Sequence, residues 1–210
     1  MPSVTRKPQA GRQERREQIE RRLLEATDRL MAEGASFTEL SVDRLATAAG
    51  ISRASFYIYF EDKGHLLRRL AAQVFTDLTE AAQRWWSVAA RHDRADIHAG
   101  MVAIIAAYRQ HQPVLVALNE MAPYDAQVGQ TYRELIDGVT QGVQAVIAEG
   151  QATGAIRPGL PPTTTANTLT WMVERTCQQN LPRNPAAYDA ELADVLTEII
   201  WGALYSVPDS

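Results

Sequence analysis

Between residues 41 and 59 the chain has room for two short helices and a tight turn, and for little else. Ser41 is a good N-cap, because its hydroxyl can accept from the unpaired N–H groups of a first helical turn. Val42, Leu45, Ala46 and Ala49 then fall at i, i+3, i+4 and i+7 on one face. Gly50 ends that helix, since a chain leaving a helix turns most readily through the left-handed region that glycine tolerates. Ile51 follows, Ser52 offers a second N-cap, and a third helix runs to about Tyr59. Two helices of roughly two turns each about a glycine-containing turn form a helix-turn-helix, the unit that lays one helix in the major groove of DNA.

The flanks read as helix too. From about Gln13, apolar Ile19, Leu23, Ala26 and Leu30 recur every three to four positions until Gly34. Residues 1–12 hold Pro2, Pro8 and Gly11 among basic residues with no apolar period, which predicts a disordered arm. Asp62 can cap a long helix to about Arg91, with Leu66, Leu67, Leu70, Val74, Phe75, Leu78, Ala81 and Trp85 on its buried stripe. Such a helix spans roughly 45 Å, long enough to join two domains. Further helices are expected over about 94–110, 113–121, 127–152, 162–180 and 187–205, with a Gly- and Pro-containing loop at 154–162. Strand-like alternation is scarce. The expectation is an all-α, two-domain chain of about nine helices.

The charge distribution agrees with a nucleic-acid module. The 210 residues carry a net −4, yet residues 1–70 hold 13 Lys and Arg against 10 Asp and Glu, and the remainder 8 against 15. A basic segment on an acidic body is the asymmetry expected when one small module meets phosphates.

The stretch 40–67 reads LSVDRLATAAGISRASFYIYFEDKGHLL. It resembles the DNA-binding signature of the TetR family of transcriptional regulators: a Ser opening the second helix, an Ala-Gly turn, a Ser opening the third. The family's aromatics and lysine follow in register as Tyr57, Tyr59, Phe60 and Lys63. In physical terms Arg53 stands where a guanidinium can take a guanine edge, Ala54 lets the helix approach, and Ser55 can bond a base or a phosphate. Ser41, Tyr57 and Lys63 are the expected backbone-side contacts; Ser52 is placed in the DNA-binding set as well, and Tyr59 reads equally as a DNA contact or as core. Arg12, Arg15 and Arg16 either add contacts or form a solvated face with Glu14, Glu17 and Glu20. Phe56 and Phe60 read as core.

The resemblance divides the chain into a basic arm (1–12), a helix-turn-helix domain (13–61) and a ligand-binding and dimerisation domain (62–210). It implies a repressor released from a palindromic operator by a small apolar molecule. WMVERT at 171–176 and IIWGALY at 199–205 are similar to a mycobacterial branch of the family, the repressors of the ethionamide-activating monooxygenase. Matched by position to that branch, the expected ligand-facing residues are Ile97, Met101, Ile104, Tyr108, Tyr132, Ile136, Val139, Thr170, Val173 and Trp201. Thr170 and Val173 replace asparagines there, so that branch's ligand preference does not carry over, and Thr170 is the obvious polar anchor. The last helix carries a broad apolar band, Tyr188, Leu192, Val195, Leu196, Ile199 and Ile200, wider than one stripe. The excess suits a two-fold homodimer, matching a palindromic operator.

Other classes find less support. His65, His92, His98 and His111 are scattered, without the i, i+4 spacing of a helical zinc site. No phosphate-cradling loop occurs, so neither catalysis nor a cofactor is expected. Cys177 reads as a small core residue, and a single cysteine excludes an intramolecular disulfide. Gly138 and Gly142 indicate close helix packing at most. With no signal peptide or apolar span in view, the expected location is the cytoplasm. A helical adaptor that has lost DNA contacts is the remaining alternative; Arg53, Tyr57 and Lys63 all survive as usable contact types, which favours DNA.

Overall fold

The structure, a computed structural model, describes residues 7–86 and 93–205, except for the side chains of 7–13, 84 and 85. The side chains of Arg12 and Trp85, and the whole of His92, therefore lie outside the described residues. Among the described residues there are eight α-helices and no strand. They are α1 (Lys7–Ala32), α2 (Val42–Ala48), α3 (Arg53–Tyr59), α4 (Lys63–Trp86), α5 (Arg94–Met121), α6 (Ala126–Thr153), α7 (Pro162–Asn180) and α8 (Tyr188–Leu204). A short 3-10 turn, Leu181–Arg183, precedes α8.

Two expectations change. Residues 7–12, expected as an irregular arm, are the first turns of α1. Pro8 is tolerated there because the first-turn N–H groups have no helical acceptor, and Lys, Gln, Ala and Arg favour helix without any apolar period. The break expected at 111–112 is also absent, and α5 runs 28 residues straight through Pro113. The missing N–H and ring clash of an internal proline are outweighed by packing on both sides, where Ala107, Val114, Leu115 and Leu118 are all buried. Two expected helices are one, so the described residues hold eight, close to the nine or so expected.

Capping follows the sequence closely. Ser41 Oγ accepts from Arg44 N at 3.2 Å and Ser52 Oγ from Ser55 N at 3.1 Å, fixing where α2 and α3 begin. Asp62 Oδ1 accepts from His65 N at 2.7 Å at the start of α4. Asp125 Oδ1 opens α6 by accepting from Gln127 N and Val128 N at 2.9 and 3.1 Å. Gly50 leaves α2 at φ +66°, the conformation that required a glycine.

Two apolar clusters hold the fold. The first joins α1–α3 and most of α4 to the second half of α5 and the start of α6, with Leu23, Phe37, Leu45, Phe56, Phe60, Leu67 and Leu118 almost wholly buried. The second packs the first half of α5, the second half of α6, α7 and α8 around Ile97, Met101, Ile147 and Ile200. α4 lies mainly on α5 and α6, α7 on α6, and α8 on α5.

Polar ties cross between the elements. Arg109 of α5 donates to both carboxylate oxygens of Asp189 and to the carbonyls of Leu181, Asn184 and Pro185, fastening the chain just before α8. His111 and Asp77 pair at 2.7 Å between α5 and α4, and His98 and Asp194 at 3.1 Å between α5 and α8. The first turn of α4 rests on the start of α6: a side chain at Gly64 would stand 2.1 Å from Asp125 Oδ2. A larger residue at 64 would have to displace that carboxylate.

Candidate functional site

α3 presents one buried and one exposed face. Phe56 is fully buried and packs near Phe60 and Tyr57, with ring centroids 5.5 and 5.4 Å away. Ser52, Arg53, Ala54, Tyr57 and Ile58 face outward, with Ser55 and Tyr59 half-buried beside them. Tyr59 packs against the first core. Arg53 is held by Asp43 of α2 at 2.6 Å and lies over the Tyr57 ring. Asp43 was not singled out by any motif; it is legible only once α2 and α3 are set against each other. Ser41 and Arg44 are exposed at the start of α2, and Arg15 and Arg16 are exposed on α1.

The turn between α2 and α3 is held from behind by α1. Arg22 Nη2 donates to Gly50 O and Arg29 Nη2 to Ala48 O, both at 3.3 Å. Helix-end carbonyls lack partners within their helix, and cations suit that end of its dipole. Seven residues apart, the two arginines share one side of α1. Neither was expected to contribute.

Lys63 corrects an expectation. Its Nζ donates to the carbonyls of Phe37, Thr38 and Leu40 at 3.2, 2.9 and 2.8 Å. An ammonium has three N–H donors, and here each meets one of these carbonyls. Its role is to fasten the segment before α2 to the first residue of α4, and burial lowers its pKa.

The second site is a narrow cavity among α4, α5, α6, α7 and Ile200 of α8, about 60 Å³ in volume as it stands. Seven of the ten residues expected to face a ligand line it: Met101, Ile104, Tyr108, Ile136, Val139, Thr170 and Val173. Tyr132 borders a smaller adjoining pocket that shares Tyr108 and Glu174. Ile97 and Trp201 do not line the cavity. Ile97 is buried in the second core, and Trp201 stacks on Tyr205 at 4.8 Å between ring centroids.

The lining residues not anticipated as ligand contacts include Leu78, Ala82 and Trp86 of α4, and Glu174 of α7. The α4 residues follow a core stripe indistinguishable in sequence from plain packing. Trp86 lies against α6 where Gly142 has no side chain; a Cβ there would stand 2.3 Å from the indole. Gly138, its partner in the spacing, meets nothing within 4 Å.

Glu174 is 3% exposed. Its Oε1 accepts from Tyr132 Oη, its Oε2 has no hydrogen-bond partner, and Arg175 Nε stands 3.6 Å from that oxygen. Burial raises its pKa against the opposing pull of Tyr132 and Arg175. The folded state therefore binds this proton more tightly than the unfolded chain does, so stability is lost as pH rises through the folded pKa. Glu174→Gln keeps an acceptor for Tyr132 and removes the buried charge. The variant is expected to unfold at a higher temperature than the parent near neutral pH, with the advantage vanishing below the ordinary glutamate range. A thermal melt series across pH checks this; an equal advantage at every pH contradicts it. Burial also pushes the Cys177 thiol up to about 12, the behaviour of an inert core residue.

α8 splits the expected interface. Leu192, Leu196 and Ile200 are buried inside the subunit's own core, so their assignment to a dimer contact is corrected. Their side of α8 faces α5, which takes up the band that the sequence left unplaced. Val195 and Ile199 remain 49% and 46% exposed, and Tyr188 is half-buried.

The family described as the C-terminal domain of the transcriptional regulator EthR matches residues 97–206, more than half of the chain. The family described as bacterial regulatory proteins, tetR family, matches residues 23–70. The chain belongs to the TetR family. This TetR-family regulator is 28% identical over 182 residues to the HTH-type transcriptional regulator EthR of Mycobacterium tuberculosis, covering 86% of this chain and 84% of the relative. It is 27% identical over 209 residues to EthR of Mycolicibacterium smegmatis, covering 97% and 94%. Its fold also resembles the transcriptional regulator FadR from Bacillus subtilis, solved in complex with stearoyl-CoA, at 15% identity and a TM-score of 0.66, covering 85% of this chain and 96% of that one. Among the described residues of this TetR-family regulator no helix is long and apolar enough to cross a membrane. No cluster of three or more metal-ligating side chains occurs among them either.

Proposed function

We propose that the chain is a homodimeric repressor that leaves its operator when a mostly apolar small molecule fills the α4–α7 cavity. The division into a DNA-binding part at 13–61 and a ligand-binding and dimerising part at 62–210 belongs to this reading. In it Arg53, Ala54 and Ser55 address base edges, while Ser41, Ser52, Tyr57 and Tyr59 contact the backbone. Arg12, Arg15 and Arg16 add charge from α1. Lys63 has no such part. The cavity residues, Thr170 among them, receive the ligand, and the reading needs no catalytic step and no cofactor. Val195 and Ile199 of α8 are the exposed apolar residues left for a partner subunit. A repressor of this kind works in the cytoplasm, where its operator is.

One observation carries the reading. Lys63, the first residue of α4, is fastened to the segment that leads into α2, while Leu78, Ala82 and Trp86 of the same helix wall the cavity. A ligand that pushes α4 aside tilts the DNA-binding helices with it, changing the spacing between the two recognition helices of a dimer. The fold neighbour solved with stearoyl-CoA is in keeping with an elongated apolar occupant.

The test is a salt-titrated binding assay on the upstream DNA of the chain's own gene against random duplex. A repressor should prefer the specific fragment and lose affinity steeply with salt. Leu78→Trp, which fills the cavity from α4, should weaken specific binding without ligand. No preference between fragments would overturn DNA regulation, and unchanged binding by the Trp variant would overturn the coupling.

A further inference from the structure

Beside the Tyr108 phenol, the otherwise apolar cavity wall has two polar places, and both hold atoms that lack a hydrogen bond. Trp86 Nε1, Thr170 Oγ1 and Glu174 Oε2 are buried, and none has a hydrogen bond. Arg175 Nε stands 3.6 Å from Glu174 Oε2 as an ion pair only; buried polar atoms are nearly always hydrogen-bonded, so three without a hydrogen bond on one cavity are a specific shortage. Thr170 and Glu174 are one helical turn apart on α7 and make up one polar place, with both residues more than nine-tenths buried. Trp86 makes up the other, on α4.

Helix α6 measures the distance between them. Tyr132 on α6 donates to Glu174, and Gly142 on α6 lies under the Trp86 indole. These two positions are ten residues apart on one continuous helix, which at the helical rise is about 15 Å along its axis. The other walls run the same way: Leu78 to Trp86 on α4 and Met101 to Tyr108 on α5 cover comparable lengths.

The chemistry at the two ends differs. An indole N–H only donates, so Trp86 calls for an acceptor. The Glu174 oxygen, already sharing its carboxyl with the Tyr132 hydroxyl, calls for a donor, and Thr170 can accept or donate beside it. We propose that the effector is a two-ended molecule: an apolar chain carrying a hydrogen-bond acceptor at the Trp86 end and a hydrogen-bond donor at the Glu174–Thr170 end. A simple carboxylate-headed chain does not meet this demand. Seated on Glu174 it sets anion against anion, and reversed it leaves Glu174 and Thr170 unpaired. This inference rests on the ligand-binding reading of the cavity.

The experiment titrates the full-length protein by calorimetry with four chains of equal length. They are the methyl ester of omega-hydroxyoctanoic acid, which has a donor at one end and an acceptor at the other; a plain methyl ester; a plain primary alcohol; and a fatty acid. The hydroxy-ester should bind about tenfold tighter than either single-headed probe, the worth of one well-made buried hydrogen bond, with the fatty acid weakest. Trp86→Phe should remove its advantage over the alcohol. The pair Glu174→Met with Tyr132→Phe deletes the carboxyl together with the hydroxyl it would orphan, and should remove its advantage over the plain ester. In each variant the probe lacking the lost contact should bind as before, which reports that the cavity is intact. Equal affinities across the uncharged probes in the parent protein would overturn the two-ended ligand while leaving the cavity as a binding site. No binding by any of the four would overturn both.

Discussion

Replacing Arg53 by alanine is expected to weaken binding to the specific operator by about 1–3 kcal/mol, roughly ten- to a hundredfold, while affinity for random duplex changes little. Arg53 stands in the first turn of α3, exposed, where a recognition helix reads base edges. Its pair with Asp43 is exposed on both sides, at 59% and 60%, so its loss removes little stability. The pair instead sets the guanidinium's direction before DNA arrives, with Tyr57 beneath it. Parallel titrations on operator and on scrambled sequence at one salt concentration check this. Equal losses on both would make Arg53 a phosphate contact and move base reading elsewhere on α3.

Lys63→Met should act through the fold instead. The substitution keeps an apolar stem of similar reach and leaves the carbonyls of Phe37, Thr38 and Leu40 without their donor. Hydrogen bonds from a charged donor contribute more than neutral ones, but water reaches part of this site, so a loss of about 2 kcal/mol is expected. At this chain length that corresponds to a fall in melting temperature on the order of 4–8 °C. Operator binding should also respond less to a cavity ligand, because α4 no longer drags the residues ahead of α2. Both are measurable on one preparation, by thermal melts and by operator titration with and without ligand. An unchanged melting temperature, with operator affinity falling only as one lost phosphate contact would make it fall, would restore the phosphate role.

What the sequence disclosed and what it hid have physical reasons. Ser41, Gly50 and Ser52 act locally, through a cap or a single backbone conformation, and their positions could be read directly. The cavity side of α5, Met101, Ile104 and Tyr108, follows a period that sequence displays, and the likeness to a known branch pointed at it. Glu174 was missed because a lone glutamate among apolar neighbours on a helix is usually solvated; only the approach of α6 buries it against Tyr132. Lys63 was read as a phosphate contact because an ammonium near a DNA-binding helix looks the same whether it meets a phosphate or a carbonyl. Pro113 misled by obeying a local rule that packing overrode. Leu192, Leu196 and Ile200 were assigned outward because sequence shows how much apolar surface a helix has, not which neighbour covers it.

The clasp of Arg22 and Arg29 on the carbonyls of Ala48 and Gly50 sets a lower bound on the smallest piece that can read DNA. A peptide cut to α2 and α3 alone would carry their bend with nothing behind it. Transplanting this chain's specificity onto another scaffold therefore means moving three helices as a unit, with the side of α1 that bears both arginines kept in step with the bend. Exchanging α3 by itself would carry the reading residues without the bracket that aims them.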